Sequence, residues 1–486
     1  MFQKIALSVV LFFTLSIVLF FLVIKVIDFN EYKPKIQKII KEATGYELAI
    51  KGDITLSLTP VGVSILNVEV SNPSYQGDAP FAQLGSFDVA IEIAPLLRKE
   101  VKIKYIALEN LTLLIEKNQE GKFNFELPTS KIGLEKKQNE TNSSMSKESN
   151  LPLVNVNKIK FQDANIHYMD NQANRQITLE KINLTINDIN YDALKSKLQA
   201  LSFKAESTIS QAKYGKYAIK DVAMNFDMKE SLAVIENLKY TMFDSLIQGS
   251  GKVDLSGKAP NISIKSKITD LKLANLSKEL FAEPFLEGTA NGDLKLSFVL
   301  GDMTTIKSTL GGFIQLFAED VNVKGYDVDK ILSTFDESLN NLQETSFASM
   351  LSGSLSGFKG GNSVLKQINT KVDIDYSEMK LSDVALSTNR NRVALSGALQ
   401  IVEEKILDVK IALLDAQGCS VFEQTVVGTF DKPILKLDEK VFNAITNVAL
   451  SLLGKSKKVQ NPPKIPEENC IPFYEGVIKH PPAILK

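Results

Sequence analysis

The sequence contains no tryptophan, and only two histidines and two cysteines among its 486 residues. Each shortage narrows the field. His167, in Asn165-Ile166-His167-Tyr168, has no partner motif, and two cysteines without nearby histidines cannot complete the four ligands of a structural zinc. An excess of charge is also missing: 56 basic residues stand against 57 acidic ones, a formal net charge of -1. No field is available to steer a polyanion, so nucleic acid is not an expected partner. Nucleophile elbow, P-loop, His-Glu-x-x-His and dinucleotide fingerprint are all absent. Gly311-Gly312 and Gly360-Gly361 lack the strand-loop-helix setting and the lysine of a phosphate cradle, and suit turns or bulges instead. Glu403-Glu404 falls in strand and turn text, where a solvated surface pair is the simple reading. The expectation is a non-enzyme with no catalytic residue, no cofactor and no metal.

What the sequence does have begins at its start. Ile5 to Ile24 is uncharged and overwhelmingly apolar, matching the ~20 residues that a helix needs to cross a bilayer. The run passes directly into Lys25, Val26, Ile27 and Asp28 with no small-residue cleavage site, so a retained single-pass anchor is expected rather than a signal peptide. Flanking charge leaves orientation open, with Lys4 on one side and Lys25, Lys33 and Lys35 on the other. Long domains following a first span are exported largely regardless of their charge, which places the bulk of the chain outside the cytoplasm. Cys419 and Cys470 then suit an oxidising compartment as a disulfide, two free thiols being the alternative.

After the span, Asn30 is a candidate cap for a short amphipathic helix through about Glu42, with Pro34 in its first turn and Gly45 as its stop. Contact with the membrane surface and packing on the first sheet are equally good readings of that helix. From Tyr46 the apolar period falls to two, through Leu48, Ile50, Ile54, Leu56, Leu58, Val63 and Ile65. It recurs in Val101, Ile103, Tyr105 and Ala107, and in Leu111, Leu113 and Ile115. Residues 131–150 are polar and hold almost nothing to bury, so they form a linker or an extended loop inside one sheet. Strand text resumes at Val156 to Phe161, Ile177 to Ile186, Val222 to Phe226, Leu246 to Leu255 and Ile262 to Ile268. Helical text is confined to Leu273 to Phe281, Val328 to Leu342 and Glu439 to Leu453.

The expected fold is mainly β with a few helices: an N-terminal transmembrane helix, then an elongated, curved antiparallel sheet, groove-like or open barrel-like, with short capping helices. At 486 residues the chain exceeds what one core organises. The expected divisions are 1–27 (anchor), 28–130 (first β domain), 131–150 (linker), 151–310 (middle β region), 311–436 (C-terminal β region) and 437–486 (helix and Cys-linked tail). Alternating strands present one apolar face that something must cover. Helices are too few for the task, so a sandwich or barrel packed by its own side chains is the simplest reading of the periodicity. The alternative is an open groove for acyl chains, with Val101, Ile103, Tyr105, Leu111, Leu113 and Ile115 as candidate lining.

The order of certain short phrases resembles the AsmA family: Asp28-Phe29-Asn30 and Tyr32 after the anchor, then Thr44-Gly45-Tyr46, Gly52-Asp53-Ile54, Ser57-Leu58-Thr59-Pro60, Ala94-Pro95-Leu96-Leu97 and Gly121-Lys122-Phe123-Asn124. A second group lies toward the other end, in Gly325-Tyr326-Asp327-Val328, Leu395-Ser396-Gly397 and Gly428-Thr429 through Pro433. The resemblance implies an inner-membrane protein with a periplasmic body, similar to bridge-like lipid transfer proteins and acting in outer-membrane biogenesis. It implies phospholipid as a partner and no catalytic residues. A non-enzymatic assembly factor or chaperone for outer-membrane proteins, with envelope protein partners, is the alternative function. The chain is short for a bridge across a whole envelope.

Overall fold

The computed structural model describes residues 28–58, 60–72, 79–96, 98, 100, 102–126, 156–192, 197–215, 217–281, 283–330, 332, 359–436 and 470–482. The expected anchor Ile5 to Ile24, Val101, the polar segment 131–150 and the expected helix Glu439 to Leu453 lie outside these residues. Among the described residues, no helix is long and apolar enough to cross a membrane. The chain divides into two compact units, the first formed by Met1–Ala193 and Ser202–Val222 and the second by Leu194–Leu201 and Ala223–Lys486.

The first unit opens with a 3-10 turn, Phe29–Tyr32, capped by the Asp28 carboxylate, which accepts the Asn30 N–H at 2.9 Å. The expected cap at Asn30 is therefore corrected. Its side-chain oxygen instead accepts the Ile54 N–H at 3.0 Å and ties the turn to the sheet. Helix α1 (Lys33–Thr44) follows, with Pro34 in its first turn. Gly45 ends it at φ 80°, where a side chain would be strained, and donates its N–H to the Lys41 carbonyl at 2.9 Å.

Strands β1 (Leu48–Ile50), β2 (Ile54–Leu58), β3 (Val61–Val70), β4 (Ala82–Ile91), β5 (Ile103–Glu109), β6 (Thr112–Lys117), β7 (Lys158–Asp170), β8 (Arg175–Tyr191) and β9 (Leu201–Tyr214) build this unit. The sheet is mixed: β5 and β6 lie end to end along β7, and both pair with it in parallel. A parallel pairing requires a connection of a dozen residues or more, and residues 118–157 supply it. The strands flanking the polar segment 131–150 are thus direct neighbours.

The dividing point falls within β10 (Tyr217–Lys229). The second unit continues with β11 (Leu232–Met242), β12 (Ser245–Asp254), β13 (Asn261–Lys272), β14 (Leu286–Glu287), β15 (Thr289–Val299), β16 (Gly311–Tyr326), β17 (Lys359–Asp375), β18 (Glu378–Ser387), β19 (Arg392–Ser396), β20 (Ala398–Gln400), β21 (Lys405–Leu414), β22 (Ser420–Thr429) and β23 (Pro433–Lys436). From β11 to β23 the described pairings are antiparallel. Two short helices interrupt the order. Helix α2 (Leu273–Phe281) buries Leu273 and Ser277, and α3 (Met303–Thr309) is capped by Asp302, which accepts the Thr305 N–H at 2.7 Å. Residues 328–330 and 332 are helical, and the rest of the expected helix Val328 to Leu342 lies outside the described residues.

Many strands outrun the period-two text that announced them, because each changes phase partway along. Asn67, Asn110, Asp163, Asn237, Asp270 and Asp320 all adopt left-handed backbone, at φ 48–53°. Register shifts bracket Asp163, Asn237 and Asp270. These are β-bulges, which bend a strand and strengthen its twist. Asn and Asp tolerate this conformation best among residues with side chains. The amides displaced from the ladder find side chains on the next strand. Asp163 N–H donates to Asn183 Oδ1 at 3.1 Å, Lys181 N–H to Asn165 Oδ1 at 3.0 Å, and Asp270 N–H to Asn291 Oδ1 at 3.0 Å.

Candidate functional site

Cross-strand partners in a sheet point to the same side, so the registers identify what each face carries. In the first unit one row runs through Ile54, Ile65, Phe87, Leu108, Phe161 and Leu184, each paired with the next across six strands. The row beside it runs through Leu56, Val63, Val89, Ile106, Ile159 and Ile186. A third joins Leu48, Val70, Ala82, Leu113, Ile166 and Leu179. None of the three contains a polar residue. The intervening positions point the other way and include Thr55, Ser64, Asp88, Ala107, Lys160 and Thr185 in a single row.

The second unit has a similar arrangement, with Thr370 as a polar position in one of its rows. Tyr240, Ile247, Ile268, Gly292, Leu316, Thr370, Val384, Leu395 and Ile411 form one row. Ile235, Gly251, Ile264, Leu296, Gly312, Ile374, Met379, Leu399 and Ile406 form another. On the reverse face, Lys239, Gln248, Lys267, Asp293, Gln315, Lys371 and Asp383 follow one another. A buried cluster that includes Ile247, Ile268, Leu271, Ala290, Ala318, Val321 and Leu365 anchors part of the apolar side, with α2 contributing Leu273. Elsewhere the apolar side chains stay half-buried, among them Phe87, Leu108, Phe161 and Leu184 in the first unit and Leu294, Leu296, Ile314 and Val384 in the second.

The candidate lining residues fall unevenly on these rows. Leu113 pairs with Ile166, and Ile115 with Tyr168, on the apolar side. Ile103 pairs with Ile91. Leu111 precedes β6 and is half-buried. Tyr105 is a correction: it pairs with Ala90 and points opposite to Ile106 and Leu108. A register shift in β5 against Ala90/Ile91 reverses the alternation there, so counting by two from Ile103 selects the wrong side. Ile106 and Leu108 were missed for the same reason, and Val89 and Phe161 lie on strands from which no lining residue was drawn. Asn110 just after the strand is the one local sign of irregular backbone.

One patch of the reverse face in the second unit is also apolar, and it is covered. Phe317, Asn369, Ala385, Ala394 and Ala412 form the row, and the C-terminal tail lays Phe473, Tyr474 and Ile478 over its small side chains. Cys419 and Cys470 form a disulfide with 6.2 Å between Cα atoms, holding the tail at its start. The Arg392 guanidinium then donates to the carbonyls of Ile478 at 3.2 Å and Asp415 at 2.7 Å, and it lies over the Tyr474 ring. The Tyr474 hydroxyl donates to Asp383 and accepts the Ile478 N–H at 3.2 Å. Burial and the Asp383 hydrogen bond push its pKa up, so it stays protonated as that donor requires.

Titratable chemistry is sparse by comparison. No group of three or more His, Cys, Asp or Glu residues is placed to hold a metal among the described residues. His167 sits in β7 between Leu114 and Thr178. Among the described residues, the one buried carboxylate with a lowered pKa is structural: Asp170 accepts the Ala173 N–H at 2.9 Å and the Gln172 N–H at 3.0 Å at the β7–β8 turn, with Lys117 at 3.7 Å.

The family model described as AsmA family matches residues 1–212 and 193–363. No curated protein matches the chain.

Proposed function

The chain belongs to the AsmA family, and from that premise we propose that it is a membrane-anchored, non-enzymatic envelope protein whose one-sided sheets hold phospholipid acyl chains. The observation that carries this reading is the set of apolar rows crossing strand after strand without interruption in the first unit, most of their members half-buried, with polar rows behind them. An acyl chain needs no hydrogen-bonding partner. It gains about 0.8 kcal/mol for each methylene removed from water, so a long apolar row with no polar interruption suits it better than any small polar substrate. The anchor at Ile5 to Ile24 would keep this surface beside the lipid source, with the body in the periplasm and outer-membrane biogenesis as the process served.

Mass spectrometry of the full chain, extracted in mild detergent and washed, tests the proposal. Phospholipid retained in defined proportion to protein is the expected result. A chain that carries none, while site-specific crosslinkers on its sheet edges capture an outer-membrane protein, would overturn it in favour of an assembly factor.

A further inference from the structure

Helix α1 packs on its own sheet through only part of its apolar surface. Its less exposed side holds Lys33, Ile36, Gln37 and Ile40, with the Lys33 side chain only 20% exposed and 3.7 Å from Asp53. A second apolar stripe is turned outward. Ile39 is 54% exposed, Tyr32 just before the helix is 51% exposed, Ala43 is exposed, and α1 buries no residue at all. Lys35 and Lys38 border this stripe, where long side chains can extend to water while their stems lie on an apolar surface.

The covering partner follows from where the apolar run of the N-terminus ends. The uncharged run stops at Ile24, and α1 begins at Lys33. At no more than ~3.6 Å per residue, the intervening chain reaches at most about 30 Å. We infer that α1 lies on the bilayer surface into which the N-terminus is anchored, with Tyr32, Ile39 and Ala43 in the headgroup region. This inference rests on the anchored reading. Tethering supplies a high local concentration of membrane, so a 12-residue helix too short and too modestly apolar to bind alone can remain on the surface. It fixes the first unit beside the membrane.

Because the chain has no tryptophan, Ile39→Trp introduces the sole indole. The full chain is reconstituted in phosphatidylcholine vesicles whose acyl chains carry bromine near the headgroup. Ile39→Trp emission is expected to fall about twofold and shift to the blue, consistent with burial ~5–10 Å into the interface. Lys41→Trp, two residues further on and therefore about 160° around the helix, should be quenched much less. Retention of the chain through an alkaline wash with an unquenched Ile39→Trp would overturn the inference alone, as would equal quenching of the two variants. Release of the chain by the wash would overturn the anchored reading and this inference together.

Discussion

Leu184 and Thr185 are neighbours on β8 that face opposite ways, and they offer a direct test of which side of the sheet binds. Leu184 ends the row through Phe161, and Thr185 pairs with Lys160 behind it. In the second unit Leu296 and Ser297 stand in the same relation. Replacing Leu184 and Leu296 by glutamate removes two half-buried leucines. A fully buried leucine contributes ~2 kcal/mol, so the free chain should lose about 1 kcal/mol at each position. With an acyl chain lying on the row, the same carboxylates are cut off from water, and the penalty rises to several kcal/mol. A difference of about 3 kcal/mol corresponds to at least a ~100-fold loss of affinity. The Leu184→Glu, Leu296→Glu variant should therefore keep most of its thermal stability and lose nearly all co-purifying phospholipid, measured as phosphorus per mole of protein. The Thr185→Glu, Ser297→Glu variant should retain the native amount. Equal loss in both variants, or native phospholipid in the first, would refute the assignment of the apolar rows as the binding face.

The tail gives a second prediction: Ile478 is fully buried against Ala385, Ala394 and Ala412, so Ile478→Ala should cost docking about 3 kcal/mol and raise tryptic cleavage after Lys479 by about two orders of magnitude. Reducing the Cys419–Cys470 bridge, which spans 51 residues, should release the same segment, since closing such a loop contributes about 4 kcal/mol in the chain-entropy account. Asp170 has a lowered pKa, chiefly because the Ala173 N–H donates to its carboxylate. Its contribution is complete above the ordinary aspartate value and is lost as pH falls through the lower folded value, so Asp170→Asn should weaken the chain at neutral pH and flatten the acid limb of its unfolding midpoint against pH. At Asp163, φ is 49°, and Asp163→Val should cost about 2 kcal/mol by denaturant unfolding while Asp163→Gly costs far less.

The strand content was legible because one-sided burial writes a period of two, and Leu113 and Ile115 illustrate that clarity: the register of β6 against β7 runs without a shift, so counting by two keeps its phase. The phase across a whole strand was not legible. In β7 the apolar side carries Ile159 and Phe161 before Asp163 and Ile166 after it, a change from odd to even that a fixed period misreads. The same misreading put Tyr105 on the wrong side. Asn and Asp inside strand text were the available sign, since both are poor strand formers yet tolerate left-handed backbone. The parallel placement of β5 and β6 on β7 was unreadable for a different reason: residues 118–157 allow either hand of pairing, and only long-range contacts choose. The tail's docking site was hidden because alanines at 385, 394 and 412 look like weak strand text until something is seen lying on them.

Those alanines bear on the binding proposal. Where the reverse face of the second unit turns apolar, the chain covers it permanently, with small side chains that let the tail approach, a disulfide, a buried arginine and a tyrosine held by Asp383. The rows on the other side receive no comparable cover among the described residues: helix α2 seals one cluster, and Leu294, Leu296, Ile314 and Val384 remain half-buried. Contiguous apolar surface of this extent is rarely left open on a monomer without a use. A covering ligand that comes and goes reconciles the two treatments. The rows also constrain how such a ligand would be held. Between Ile54 and Leu184, or Leu56 and Ile186, nothing offers a hydrogen bond that could fix one position over the next. An acyl chain would therefore be retained by contact area alone and could shift along the row at little cost, so any preference among headgroups must come from the polar margins of the sheets.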